Sequence, residues 1–218
     1  MEGSRVTATP RARDAHRVAR VGARRVAFGA GLVLLVVALV PPLHDLAFDV
    51  LTMHLLQNVL LAEWAPALLA FGLAPDSGRR LAARIPLVAG LLAWLVAYYV
   101  WHAPPLYDEA LRNPTPLLHL EHACYLVGGL ALWLPVAHGR HAPGVKAAYL
   151  FAAFLLASPV GLMLALVPEP IYDFYDGHWG LTALEDQQLA GITMAMAEAI
   201  VFFAAFTYYV RRFMRDEA

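Results

Sequence analysis

Apolar residues run in long blocks along this chain, separated by short polar connections. A helix needs roughly 20 apolar residues to cross a hydrocarbon core of about 30 Å. Six blocks approach that length, at residues 26–43, 51–73, 86–101, 116–136, 145–167 and 189–210, the first and third being short. A spanning backbone must satisfy its own hydrogen bonds, so each block is predicted to be helical. The expected fold is all-α, a polytopic transmembrane helical bundle of about six spans. One domain covers residues 26–210, with a basic tail at 1–25 and a short tail at 211–218. Pro66 and Pro159 fall inside the second and fifth spans and are expected to bend them.

The connections alternate in basic charge. The N-terminal tail carries Arg5, Arg11, Arg13, Arg17, Arg20, Arg24 and Arg25; the second connection carries Arg79, Arg80 and Arg84. Arg140 and Lys146 lie around the fourth connection, and Arg211, Arg212 and Arg215 at the C-terminus. These are fifteen of the sixteen Lys and Arg residues, and only Arg112 lies in the odd-numbered connections. The positive-inside rule then places both termini in the cytoplasm, and an even number of spans fits the alternation. The arginine-rich tail reads as a disordered orientation signal rather than a nucleic-acid or lipid-binding arm. The first apolar run is long for a cleaved signal, and no clear small-x-small site precedes the second span.

Composition agrees with this reading. Of 218 residues, 60% are hydrophobic and 15% charged, against about a quarter charged in soluble domains. The single cysteine, Cys124, excludes an intrachain disulfide and a multi-thiolate metal site.

This topology puts six of the nine histidines at the extracytoplasmic face: His44, His54, His102, His119, His122 and His178. His16, His138 and His141 fall inside, beside arginines, as solvated residues. Imidazole is the commonest metal ligand among side chains. His119 and His122 are three apart and share a helix face; His54 lies one turn into its span; His102 ends the third, with Tyr98 on its face. Met53, Met163 and Met194 lie in the outer halves of their spans, where thioethers would favour Cu(I), although Met more often fills core space. The blander account is that histidines suit the interfacial zone, as Trp101, Tyr107, Tyr172, Tyr175 and Trp179 do.

Two carboxylates run deeper. Glu63 and Glu198 lie roughly 14–18 Å below the outer boundary at about 1.5 Å per residue. Each reads either as part of an ion or proton path or as a protonated acid bonded to a neighbouring helix. Glu63 does not continue the His54 face. Gly128, Gly129 and Gly191 with Ala195 read as close helix packing. Asp173, Asp176 and Glu185 make the last outer loop acidic, a solvated surface or an attractor of cations.

Several runs carry a family resemblance. Met53-His54-Leu55-Leu56-Gln57-Asn58, followed by Ala65-Pro66 and Gly72-Leu73-Ala74-Pro75, is similar to the second-span signature of CtaG-type cytochrome c oxidase assembly factors, bacterial membrane proteins associated with caa-type oxidases. Trp101-His102-Ala103-Pro104 with Tyr107, then His119-Leu120-Glu121-His122, resembles that family's next signature. Gly128-Gly129, Trp133-Leu134-Pro135 and Asp186-Gln187-Gln188-Leu189-Ala190-Gly191 continue in the family's order, over residues 45–195.

The resemblance implies a bacterial plasma-membrane protein that assists oxidase assembly, helping copper reach the catalytic subunit, with no catalysis of its own. Its implied partners are cytochrome c oxidase subunits, a copper donor protein and the lipid bilayer, without nucleic acid. His54, His102, His119 and His122 become the candidate metal ligands. One departure is Asn58, where the family commonly has a second histidine, and an amide is a poor ligand for soft Cu(I). Family members also often show a seventh span, absent from this pattern. The rival readings are a copper or proton transporter, a b-type cytochrome with two axial histidines, and a purely structural interaction protein.

Overall fold

The apolar blocks fold as helices throughout the computed structural model, which describes residues 10–216. Among the described residues there are nine, with no strand: α1 Pro10–Leu39, α2 Leu43–Asp49, α3 Leu51–Gly72, α4 Pro75–Ala82, α5 Leu87–Trp101, α6 Pro104–Arg112, α7 Leu117–His138, α8 Pro143–Leu166 and α9 Ala183–Asp216. Helices α1, α3, α7, α8 and α9 are long and apolar enough to cross a membrane. Helix α5 reaches that standard only together with α4, from which it is bent by 82°, giving five or six candidate spans. With 15 residues, α5 covers about 22 Å by itself.

Helix α3 is the centre of the bundle, packed against α1, α7 and α9. Two thirds of its span is buried, against 11% for the span in α1. The outward faces carry Val33, Val36, Val88, Leu92, Val127, Leu155, Leu162, Ile200 and Phe203, an apolar surface suited to lipid. Helices α5 and α7 form one close pair, α8 and α9 another.

Small residues allow these approaches. A Cβ on Gly129 would lie 2.2 Å from the Ala62 carbonyl oxygen of α3, and one on Gly191 would lie 2.5 Å from that of Gly161 on α8. The expected packing role of the fourth- and sixth-span glycines is therefore what the structure contains. Pro66 cannot donate to the carbonyl of Ala62, four residues earlier. Helix α3 absorbs this with a π turn over Leu60–Trp64 and continues to Gly72.

Most of the basic residues lie at one end of the bundle and six of the nine histidines at the other. At the basic end Arg24 donates to the Leu73 carbonyl, and Arg79, Arg80, Arg140 and His141 rim a shared pocket with His138. His138 is not the solvated residue expected. It is half-buried, with Nε2 2.7 Å from the Ala70 carbonyl oxygen, and it fills the space that Gly78 leaves. Residues 10–25 of the basic tail are helical rather than disordered, because α1 reaches back to Pro10. Arg5 and the side chains of Arg11, Arg13, His16 and Arg17 lie outside the described set.

At the other end, α2, α6 and the 167–182 connection cover the helix termini. The connection is pinned in several places. Gln187 accepts from the Ile171 amide at 2.6 Å, and its Nε2 donates to the Glu169 carbonyl at 3.2 Å. Asp108 accepts from the Asp173 and Phe174 amides at 3.0 and 3.2 Å. Tyr172 donates to the His102 carbonyl at 3.1 Å, and Tyr175 to that of Ala47 at 2.7 Å.

Candidate functional site

The site begins with the start of α3. Val50 is extended, so α3 opens at Leu51 with its first amides lacking intrahelical acceptors. The Asp186 carboxylate of α9 takes them, at 2.7 Å from Leu51 N and 3.1 Å from Thr52 N, and accepts the Thr52 hydroxyl at 2.6 Å. An anion there also complements the helix dipole. This contact fixes the first turn of α3, and with it His54.

His54 is 1% exposed. Its Nδ1 lies 3.0 Å from the Tyr175 hydroxyl oxygen. Tyr175 spends its only proton on the Ala47 carbonyl, so His54 Nδ1 must be the donor. That tautomer leaves Nε2 with a lone pair. It points at the Glu121 carboxylate of α7, 3.7 Å away, with no hydrogen-bond partner among the described residues. A lone pair facing a carboxylate is repulsive unless a cation, a proton or a metal ion, stands between them.

Glu121 is the hub of the network and was not among the expected ligands. It is buried, accepts from Asn58 Nδ2 at 3.2 Å, and lies near Tyr125. Asn58, one turn after His54, thus turns toward the same carboxylate.

His102 follows the last residue of α5 and has the same arrangement as His54. Its Nδ1 donates to the Tyr98 carbonyl at 2.7 Å and lies 3.2 Å from the Tyr125 hydroxyl, leaving Nε2 buried and unpartnered. Burial pushes the His102 imidazole down to about 4, outweighing the Tyr98 carbonyl and Glu121, which favour the charged ring. It is therefore neutral at physiological pH, the form that binds metal. Burial likewise raises the Tyr107, Tyr172 and Tyr175 hydroxyls above the ordinary tyrosine range, so they stay protonated. Tyr107 stacks on Tyr172 with ring centres 3.9 Å apart and lies 5.0 Å from His54 and 6.3 Å from His102. It is the wall between the two imidazoles.

The remaining expected ligands divide. His122 is 9% exposed, with Nε2 unpartnered. Its nearest imidazole is His44 of α2, ring centres 6.3 Å apart. His44 Nδ1 lies 3.4 Å from Gln57 Nε2, which donates to the Ala38 carbonyl. His119 is exposed, its Nδ1 3.0 Å from the Pro114 carbonyl oxygen. His178 is exposed on the loop beside Trp179. Of the methionines, Met163 faces outward and Met194 is in the core. Among the described residues, no three His, Cys, Asp or Glu side chains are grouped closely enough to hold a metal ion as they stand.

Glu63 and Glu198, each expected either on an ion or proton path or bonded to a neighbouring helix, meet in the bundle interior, and Tyr98 donates to Glu198. Sequence periodicity could not pair them, since it gives a residue's face and depth but not the helix opposite.

No curated protein and no solved structure matches the chain. The family model described as cytochrome c oxidase caa3 assembly factor matches residues 5–216. With nearly its whole length and its all-helical, membrane-like bundle accounted for, the chain belongs to the cytochrome c oxidase caa3 assembly factors.

Proposed function

We propose that this protein assists oxidase assembly by holding copper transiently at the histidine end and passing it to an oxidase subunit. The ligand set is His54, His102, His119 and His122, and Glu121 supplies an oxygen beside His54. One observation carries the reading. Among the described residues, the buried Nε2 atoms of His54, His102 and His122 have no hydrogen-bond partner, while Nδ1 of His54 and of His102 is held by a hydroxyl or carbonyl. Metal-ligating imidazoles are typically prepared in this way, with one nitrogen fixed and the other free.

The separation of the imidazoles suits a carrier. A closed sphere of three or four ligands would retain copper, whereas partial coordination lets a partner's ligands displace it. Exposure falls from His119 through His122 to His54, which supports entry along α7. The basic end is cytoplasmic by the positive-inside rule, so the histidine end faces the other side of a bacterial plasma membrane. The role is non-catalytic, and a soluble copper donor is its second partner.

The test is Cu(I) titration of the purified protein against a competing chelator, beside an assay of oxidase assembly in cells. The wild type should take up copper, and His102→Ala or His122→Ala should weaken it by at least about tenfold, the scale seen when metal sites lose supporting groups. If the wild type takes up no copper, or a His119→Ala/His122→Ala protein still assembles oxidase, the ligand assignment is wrong.

A further inference from the structure

Glu63 and Glu198 are both 0% exposed and lie against each other between α3 and α9. Trp64 Nε1, next to Glu63, donates to the carbonyl of Ala197, next to Glu198, at 3.1 Å, which locks the two helices together at this level. Glu63 sits within the π turn, a distortion that often marks functional positions. Among the described residues, neither carboxyl has an ion-pair partner. Among the described residues, both oxygens of Glu63 and Oε2 of Glu198 have no donor, and Tyr98 serves the remaining oxygen of Glu198.

Three acceptor atoms in apolar surroundings, with no donor or cation, cannot belong to two ionised carboxylates. A proton shared between the acids resolves this, because it makes one carboxyl the donor to the other. We propose that Glu63 and Glu198 together form a binding site for one exchangeable proton inside the membrane, with Tyr98 positioning the charged partner. The titratable groups around the pair are few. Helix α5 contributes Tyr98 and Tyr99, and Tyr125 of α7 faces Tyr98. Between Val26 and Leu39, α1 has no ionisable residue, and the only charged residue of α8, Lys146, lies at the basic end.

The pair is also linked to the histidine end. The Tyr98 hydroxyl holds Glu198 while its carbonyl accepts from His102, and the two rings pack 4.8 Å apart. Loss of the proton leaves a second negative charge one residue from that histidine's support. The pair thus reaches the surroundings of His102 through a single tyrosine.

A hydrophobic carbodiimide, which reacts with protonated carboxyls in apolar surroundings, tests this on intact protein in detergent or vesicles. Mass spectrometry should locate one adduct per chain on Glu63 or Glu198 at neutral pH, with labelling that declines as pH rises. Glu63→Gln removes the like charge, so labelling of Glu198 should shift to lower pH. Tyr98→Phe removes the donor that favours the charged form and should shift labelling to higher pH. Difference infrared spectra of the wild type against Glu198→Gln give a second reading, through the carbonyl stretch of a protonated acid. Absence of both adduct and protonated-acid band at neutral pH overturns the proposal, as does a labelling profile unchanged in Glu63→Gln.

Discussion

Replacing Asp186 tests the contact that positions His54. Its carboxylate, 1% exposed, accepts from Leu51 N, Thr52 N and Thr52 Oγ1 at 2.7, 3.1 and 2.6 Å. Hydrogen bonds to a charged acceptor contribute about 1.5–3 kcal/mol each. Three that share one carboxylate are not additive, and the low end gives roughly 4 kcal/mol for Asp186→Ala. At about 2–4 °C per kcal/mol for a chain of this size, the melting temperature in detergent should fall by roughly 8–16 °C. Asp186→Asn keeps one acceptor oxygen and should lose about half as much. Hydrogen exchange gives the local reading, since the Leu51 and Thr52 amides should lose protection before the rest of α3. A cycle with Thr52→Ala isolates the hydroxyl bond at about 1 kcal/mol or more of coupling. Strictly additive losses, or unchanged protection at Leu51 and Thr52, would refute this account of how α3 is started.

Gly129→Ala places a methyl 2.2 Å from the Ala62 carbonyl oxygen, where backbone rather than a flexible side chain must give way. It should destabilise the bundle by about 1–3 kcal/mol, read as a lower melting temperature or loss of monodisperse protein; wild-type stability would mean that α3 and α7 are not this close. Asn58→His sets an imidazole one turn from His54, beside Glu121, and should tighten Cu(I) binding in chelator competition. Unchanged affinity would separate position 58 from the site.

The spans were legible because apolar length and basic alternation are one-dimensional signals. Five of the six runs match long helices, and the short run at 86–101 matches α5 with its bend from α4. The histidine end was legible too, since His54, His102 and His122 all occupy helix ends on one side. What could not be read was pairing across helices. Glu121 resembles an ordinary interfacial acid until α3 brings Asn58 and His54 against it. Glu63 was off the His54 face, and the partner on a neighbouring helix, Glu198 of α9, could not be named. His119 looked like the natural partner of His122 at three residues' spacing, yet it is exposed, and His44 from the short helix α2 takes that place. Helices α2 and α6 were missed because runs of 7 and 9 residues carry too few turns for a period to emerge.

The pinned connection at 167–182 bears on how the proposed ion would be released as well as on shape. Tyr172 and Tyr175 fasten this segment and, through the same hydroxyls, the surroundings of His102 and His54. Unfastening the segment therefore frees the His54 ring from Tyr175 and the His102 backbone from Tyr172, while the His102 ring stays on the Tyr98 carbonyl. On the proposed copper reading, an ion beside His54 would become more accessible as the segment opens, so its residence time would depend on the local opening free energy of a few hydrogen bonds as well as on the metal–nitrogen bonds. A partner that docks on this segment and pulls it away would control the moment of release without touching the metal.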